Sequence, residues 1–324
     1  MPSVAGGSAR HRRVSTGRRR TLSVPPEGNR PSVFVPPQTL TRRAGCAFAV
    51  AVGVVASAAA ADSSRVAAAQ GRLDAEYVVT IAGLPIGRGN WAVDIAEDQF
   101  SASASGTTTG LLQFLAGAHG TSVSRGAVSG GQIVPTSYVA TINYDRGRVD
   151  DVRMALAGGN VKDYSVEPPV KPNPALVPVS DSDRRGVMDP MTSVLNRVAG
   201  VGDPVIPEAC NRRISVFDGR LRYDLQSEFK RTETVKTDRG YEGPVVVCAV
   251  YFQPISGYVP DRPAIKYLVA LRDAEVWLAP ISGTRVLVPY RFTIPTPIGL
   301  GVLQATQFVS APHPPRSTAA AKTQ

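Results

Sequence analysis

The feature that most restricts how this chain can fold is its punctuation. From Leu73 onward, short runs rich in Val, Ile, Tyr, Phe and Thr are broken at close intervals by Gly, Pro, Asn and Asp. An amphipathic helix needs its apolar stripe to recur every 3.6 residues over about 10–12 residues, and few stretches here run that far between breakers. β-branched and aromatic residues in short alternating runs, bounded by turn formers, instead read as strands joined in meanders. The 30 Gly and 27 Pro fit, since each reversal of an antiparallel sheet needs a residue suited to a turn. Strands are predicted at 73–81, 90–95, 100–105, 137–144, 149–156, 161–166, 212–217, 220–229, 245–252, 275–278, 285–294 and 302–309. The fold class is therefore mainly β, one antiparallel domain over 72–310.

Two segments depart from the strand pattern. Residues 111–118 are continuously apolar with Leu111, Phe114 and Leu115 at helical spacing, and Asp189-Pro190 supplies an N-cap and a first-turn proline for a helix over 191–198. The Pro-rich stretch 168–185 reads as a surface loop inside the domain, because strands of the same kind resume beyond it.

The net charge of +10 is not a property of the domain. Nine arginines and one glutamate lie in residues 1–43, which leaves the remainder near neutral and gives no electrostatic reason to expect a nucleic-acid partner. This basic leader, expected to be disordered, precedes an uncharged apolar segment at 44–61 that ends in small residues, the layout of a cleavable signal peptide. The expected location is the periplasm, with an uncleaved inner-membrane anchor as the alternative. Arg42-Arg43 leaves a twin-arginine route open. A flexible lead-in is expected at 62–71 and a disordered tail at 311–324.

Within the domain, the segment 210–229 is the most informative. Asp218-Gly219 between two alternating runs predicts a two-residue type I′ hairpin, with Phe217 opposite Arg220 and Val216 opposite Leu221. Alternation then puts Ile214, Val216, Leu221, Tyr223 and Leu225 on one face, and Arg213, Phe217, Arg220, Arg222 and Asp224 on the other. Beyond the leader and the apolar segment the chain has two cysteines, Cys210 and Cys248, and an oxidising compartment predicts that they are bridged.

Signs of chemistry are sparse. Apart from His11 in the leader, only His119 and His313 occur, and no nucleophile elbow, phosphate loop or dinucleotide fingerprint is present. No catalytic residue, metal ligand or cofactor is assigned. The one candidate binding cluster is Arg213, Arg220 and Arg222, whose guanidinium groups could hold an anionic group; the alternative is a solvated face partly neutralised by Asp224. Asp218, Gly219, Tyr223 and Asp224 are assigned structural roles.

These residues carry a resemblance. The chain resembles the domain-of-unknown-function family 3108, exported bacterial proteins of unassigned activity. The resemblance spans roughly 73–309. It rests on the Tyr77 strand with Gly83-Leu84-Pro85-Ile86-Gly87, on Asp189-Pro190, on Val216-Phe217-Asp218-Gly219-Arg220 with Arg222-Tyr223-Asp224, on the cysteines, on Gly257-Tyr258 and on Val288-Pro289-Tyr290. It implies a curved antiparallel sheet or partly open barrel around one or two short helices, similar in outline to periplasmic lipoprotein carriers. The expected role is to bind an apolar or amphipathic molecule, such as a lipid, or to assist envelope assembly with other envelope proteins. A hydrolase-like enzyme and a structural partner of an outer-membrane complex are the alternatives.

Overall fold

The structure, a computed structural model, describes residues 70–110, 113 and 117–313. The expected leader, signal segment, nearly all of the lead-in, most of the expected helix at 111–118, and residues 314–324 of the tail lie outside those residues.

Among the described residues fifteen strands are formed: β1 (Gly71–Ile81), β2 (Leu84–Ile95), β3 (Gln99–Thr108), β4 (Ala118–Ser129), β5 (Gln132–Tyr144), β6 (Val149–Ala157), β7 (Asn160–Glu167), β8 (Asn196–Arg197), β9 (Arg212–Phe217), β10 (Arg222–Lys236), β11 (Arg239–Gly240), β12 (Glu242–Ser256), β13 (Glu275–Pro280), β14 (Val286–Thr296) and β15 (Gly299–Pro312). Among the elements described are the α-helices α1 (Pro190–Ser193) and α2 (Pro263–Ala270). The ladder runs β7-β6-β5-β4-β3-β2-β1-β15-β14-β13-β12-β10-β9, antiparallel at every step.

Alternation explains the core. In β1, Leu73, Ala75 and Tyr77 are buried, and the register sets Leu73 opposite Val93 and Ala75 opposite Trp91, so one face of each strand supplies the interior. The run Val245–Ala249 in β12 is buried on both faces. Val245 and Val247 join the main core with Trp277 and Phe217, whereas Val246 and Cys248 pack under the segment around Val198, Ala209 and Cys210. The Cys210–Cys248 disulfide, with Cα atoms 5.4 Å apart, fastens that cover to β12.

The ladder does not close on itself. Its two ends, β7 and β9, are linked through residues 185–188. Arg185 bridges Asn160, Val187 N–H donates to the Gly159 carbonyl (2.7 Å), Met188 N–H donates to Ser215 (2.9 Å), and Phe217 N–H donates to Met188 (3.0 Å). One connecting segment thus occupies the start of β7 and the end of β9, covering part of each edge.

Three expectations are corrected. The helix predicted over 191–198 stops at Ser193, because Asn196 and Arg197 pair instead with Leu287 and Val286 of β14. Ala311 and Pro312, expected to belong to a disordered tail, are strand residues that pair with Arg72 and Gly71. The hairpin register is displaced by two residues: Phe217 stands opposite Arg222 and Val216 opposite Tyr223. The cause is the Asp218 side chain, whose Oδ1 accepts from the N–H groups of Arg220 (2.8 Å) and Leu221 (2.7 Å) and so holds a longer connection. Gly219 keeps the required left-handed backbone, φ +95°.

Candidate functional site

Residues directly opposite in neighbouring strands share a face. Four such pairs are apolar: Ile214 with Leu225, Leu278 with Pro289, Phe292 with Leu303, and Val79 with Leu303. They floor two adjoining cavities of about 330 and 360 Å³ that share Val194, Pro289 and Leu303 as common walls. Apart from a few polar side chains the lining is aliphatic and aromatic, and the two cavities form one apolar trough across the sheet.

Sequence explains how Val194 reaches this trough. Asp189 is fully buried, and its Oδ1 accepts from the N–H groups of Met191 (3.0 Å) and Thr192 (2.9 Å), which starts α1 with Pro190 in its first turn. Its Oδ2 accepts from the hydroxyls of Thr192 (2.6 Å) and Ser124 (3.1 Å), anchoring the turn to β4. Burial pushes the Asp189 carboxyl above the ordinary carboxylate range, against the opposing pull of these four hydrogen bonds. At the other wall, the Tyr77 hydroxyl donates to the Pro289 carbonyl (2.6 Å) and is itself pushed upward by burial.

Two polar side chains on the trough stand apart. Arg212, the first residue of β9, lies opposite Ser227 and is half-buried against the apolar lining. Burial lowers its guanidinium to about 10. Among the described residues no carboxylate, carbonyl or hydroxyl holds it. Asn196, 3% exposed, donates from Nδ2 to the Ala209 carbonyl (2.7 Å) and leaves Oδ1 with no donor.

The arginine cluster expected from the sequence is engaged elsewhere. Arg213 donates to Asp224 Oδ2 from Nε and Nη2 (2.9 and 2.7 Å), and Arg222 donates to Asp224 Oδ1 (2.6 Å) and Ser215 Oγ (2.7 Å). Arg220 turns to the carbonyls of Glu167 (3.1 Å) and Pro168 (3.0 Å). The three do not converge on a common point. Asp224 is desolvated, which alone would raise its pKa, but the hydrogen bonds from Arg213, Arg222 and Ser215 outweigh that and hold it below the ordinary range. Phe217, expected on the charged face, is buried edge-on against Tyr164 at 5.4 Å, where the ends of the ladder approach. Tyr223 rests on Phe252, their rings 5.4 Å apart.

Other motif residues fall into place. Gly257, φ +80°, lets its backbone lie on the Arg220 carbonyl, where a Cβ would clash. His119 stands opposite Thr107 on β4, and His313 beside Asp94 at 3.2 Å. Among the described residues, no group of three or more His, Cys, Asp or Glu could hold a metal ion. Arg212 and Asn196 escaped the sequence reading, although alternation places Arg212 in phase with Ile214 and Val216. A charge on the apolar face of a strand was the available signal.

Comparison with known proteins agrees with the motif content. A family described as "Protein of unknown function (DUF3108)" matches residues 76–306. No curated protein matches. Among solved structures, the chain is similar to a β-barrel-like protein of the domain of unknown function DUF1849 from Brucella abortus, with 9% identity, a TM-score of 0.46, and coverage of 76% of this chain and 98% of that one.

Proposed function

Starting from a chain that belongs to the DUF3108 family, we propose that it is an exported protein of the cell envelope that binds an apolar or amphipathic molecule in the trough between α1 and the sheet. The observation that carries this reading is the trough itself: two joined cavities of about 330 and 360 Å³, walled by Val194, Pro289 and Leu303. Each falls near the lower end of the roughly 300–1,000 Å³ typical of small-molecule sites, and apolar walls with few polar groups are the usual make-up of such sites. The Cys210–Cys248 bond supports passage through an oxidising compartment.

The test uses full-length protein stripped of bound lipid and titrated with the neutral fluorophore N-phenyl-1-naphthylamine. Saturable binding is expected, and Leu303→Trp, which fills the junction of the two cavities, should remove most of it. Binding unaffected by Leu303→Trp would place the probe elsewhere and overturn the reading. Export is tested by sequencing the N-terminus of protein recovered from the envelope. It should begin between Ala59 and Ser64, and an intact 1–43 leader there would overturn that part.

A further inference from the structure

Resting on the trough as a binding site, we propose that its ligand is a single-chain amphiphile with a monoanionic head of the long-chain carboxylate class, its chain along the trough and its carboxylate on Arg212.

Three observations lead there. An arginine desolvated on an apolar wall is costly unless an anion joins it, and protein groups ordinarily supply that anion. Several other arginines have a protein partner: Arg222 and Arg231 pair with the carboxylates of Asp224 and Glu275, Arg197 and Arg285 donate to the carbonyls of Gly131 and Val198, and Arg291, whose Nε has no hydrogen-bond partner, lies over the Trp277 ring. Arg212 is held by nothing among the described residues, so its partner is supplied from outside. Next, Asn196 Oδ1 is a second unsatisfied group on the same wall. Water carried in with a carboxylate would satisfy it. Finally, the cavity that Arg212 lines contains no other cation, which matches a single negative charge. Arg88, on the rim of the adjoining cavity, is exposed and therefore screened by solvent.

At neutral pH the guanidinium stays charged even with its pKa lowered to about 10, so the site is ready for an anion over the physiological range. Arginine's planar fork suits a carboxylate, donating two parallel N–H bonds to its two oxygens.

The experiment titrates stripped full-length protein with laurate, dodecanol and dodecyltrimethylammonium, which share a chain and differ in head charge. Laurate should bind tightest and the cation weakest. Arg212→Gln should weaken laurate by roughly tenfold or more, yet leave dodecanol within about twofold, while Arg88→Gln leaves laurate within about twofold. The ligand-free melting temperature of Arg212→Gln should not fall, because the substitution removes an unpaired desolvated charge. Laurate binding that is equal in wild type and Arg212→Gln, or lost in Arg88→Gln instead, overturns the assignment. If the neutral fluorophore and dodecanol bind while laurate gains nothing, the head-group assignment alone fails. If none of them binds, the trough reading fails with it.

Discussion

At the residue scale, the turn around Asp218 shows how side-chain chemistry can move a register that the backbone alone would set otherwise. Asp-Gly between alternating runs reads as a two-residue turn, and Gly219 does adopt the left-handed conformation, but the Asp218 carboxylate captures two N–H groups and lengthens the connection. Because the displacement is two residues, the residues still paired keep their faces, while Arg220 and Leu221 leave the ladder for the connection. Gly219→Val would impose a β-branched residue at φ +95° and bring a Cβ to 2.6 Å from Val152 Cγ1, so a loss of about 1–3 kcal/mol or more is expected in denaturant unfolding. Asp224 is the second test. Arg222 is 11% exposed and depends on it, so Asp224→Ala strands a buried guanidinium and should cost about 3–5 kcal/mol. The sign in pH follows from the lowered carboxyl: its contribution is present above the ordinary carboxylate range and fades as pH falls through its depressed value. Stability measured against pH should therefore show wild type losing its advantage over Asp224→Ala toward strong acid. Asp224, the partner of Arg213 and Arg222, could be read from the sequence as an acid on the same strand face, whereas the Glu167 and Pro168 carbonyls that hold Arg220 lie 53 and 52 residues away and could not.

At the element scale, strands with β-branched alternation were legible, and those held by their neighbours were not. β4, AHGTSVSRGAVS, carries Gly, Ser and Ala where propensity asks for bulk, and it is a strand because β3 and β5 pair with it along both edges. The helix expected at 191–198 shows the converse: Asp189-Pro190 starts it as read, but pairing of Asn196 and Arg197 with β14 ends it after one turn. A helix this short has little stability of its own and rests on Asp189. Asp189→Ala removes the cap and leaves the N–H groups of Met191 and Thr192 without a partner, so a loss of about 1–3 kcal/mol is expected. Asp189→Asn retains an Oδ1 acceptor and should be far milder. It should also remove a pH dependence: a carboxyl raised by burial favours the protonated form, so wild type is stabilised at low pH and weakens as pH rises through its elevated value. The Asn variant should gain on wild type above the ordinary carboxylate range, and parallel stability curves would sink this account of the cap. With the cap loosened, Val194 would no longer be fixed over the trough.

At the scale of the whole sheet, the question is what stops two free edges from pairing with other chains. Sequence alternation announces strands but says nothing of where a ladder ends, and residues 185–188 have no periodicity to mark them as the link between β7 and β9. They lie at the end of the Pro-rich stretch read as a surface loop, and its role shows only in three dimensions, where Val177 N–H donates to the Tyr258 carbonyl (2.9 Å) and Gly257 N–H returns a bond to Val177 (2.8 Å). The link holds the ends through backbone hydrogen bonds and through Phe217 on Tyr164, so it should be separable from the central ladder of β1, β14 and β15. Met188→Pro tests this, because proline removes the N–H that Met188 donates to Ser215 without touching the apolar core beneath β1. Hydrogen exchange should then quicken at Phe217 and along β9 and β7, the global stability should fall by about 1–3 kcal/mol, and protection in β1 and β15 should persist under native conditions. The trough lies between these regions: Ile214 comes from the loosened end and Leu303 from the central ladder. Probe affinity should therefore drop in Met188→Pro before the fold itself is lost. Uniform acceleration of exchange across all strands would instead mean that the sheet and its link unfold as one unit, and that the trough cannot be opened from its edge.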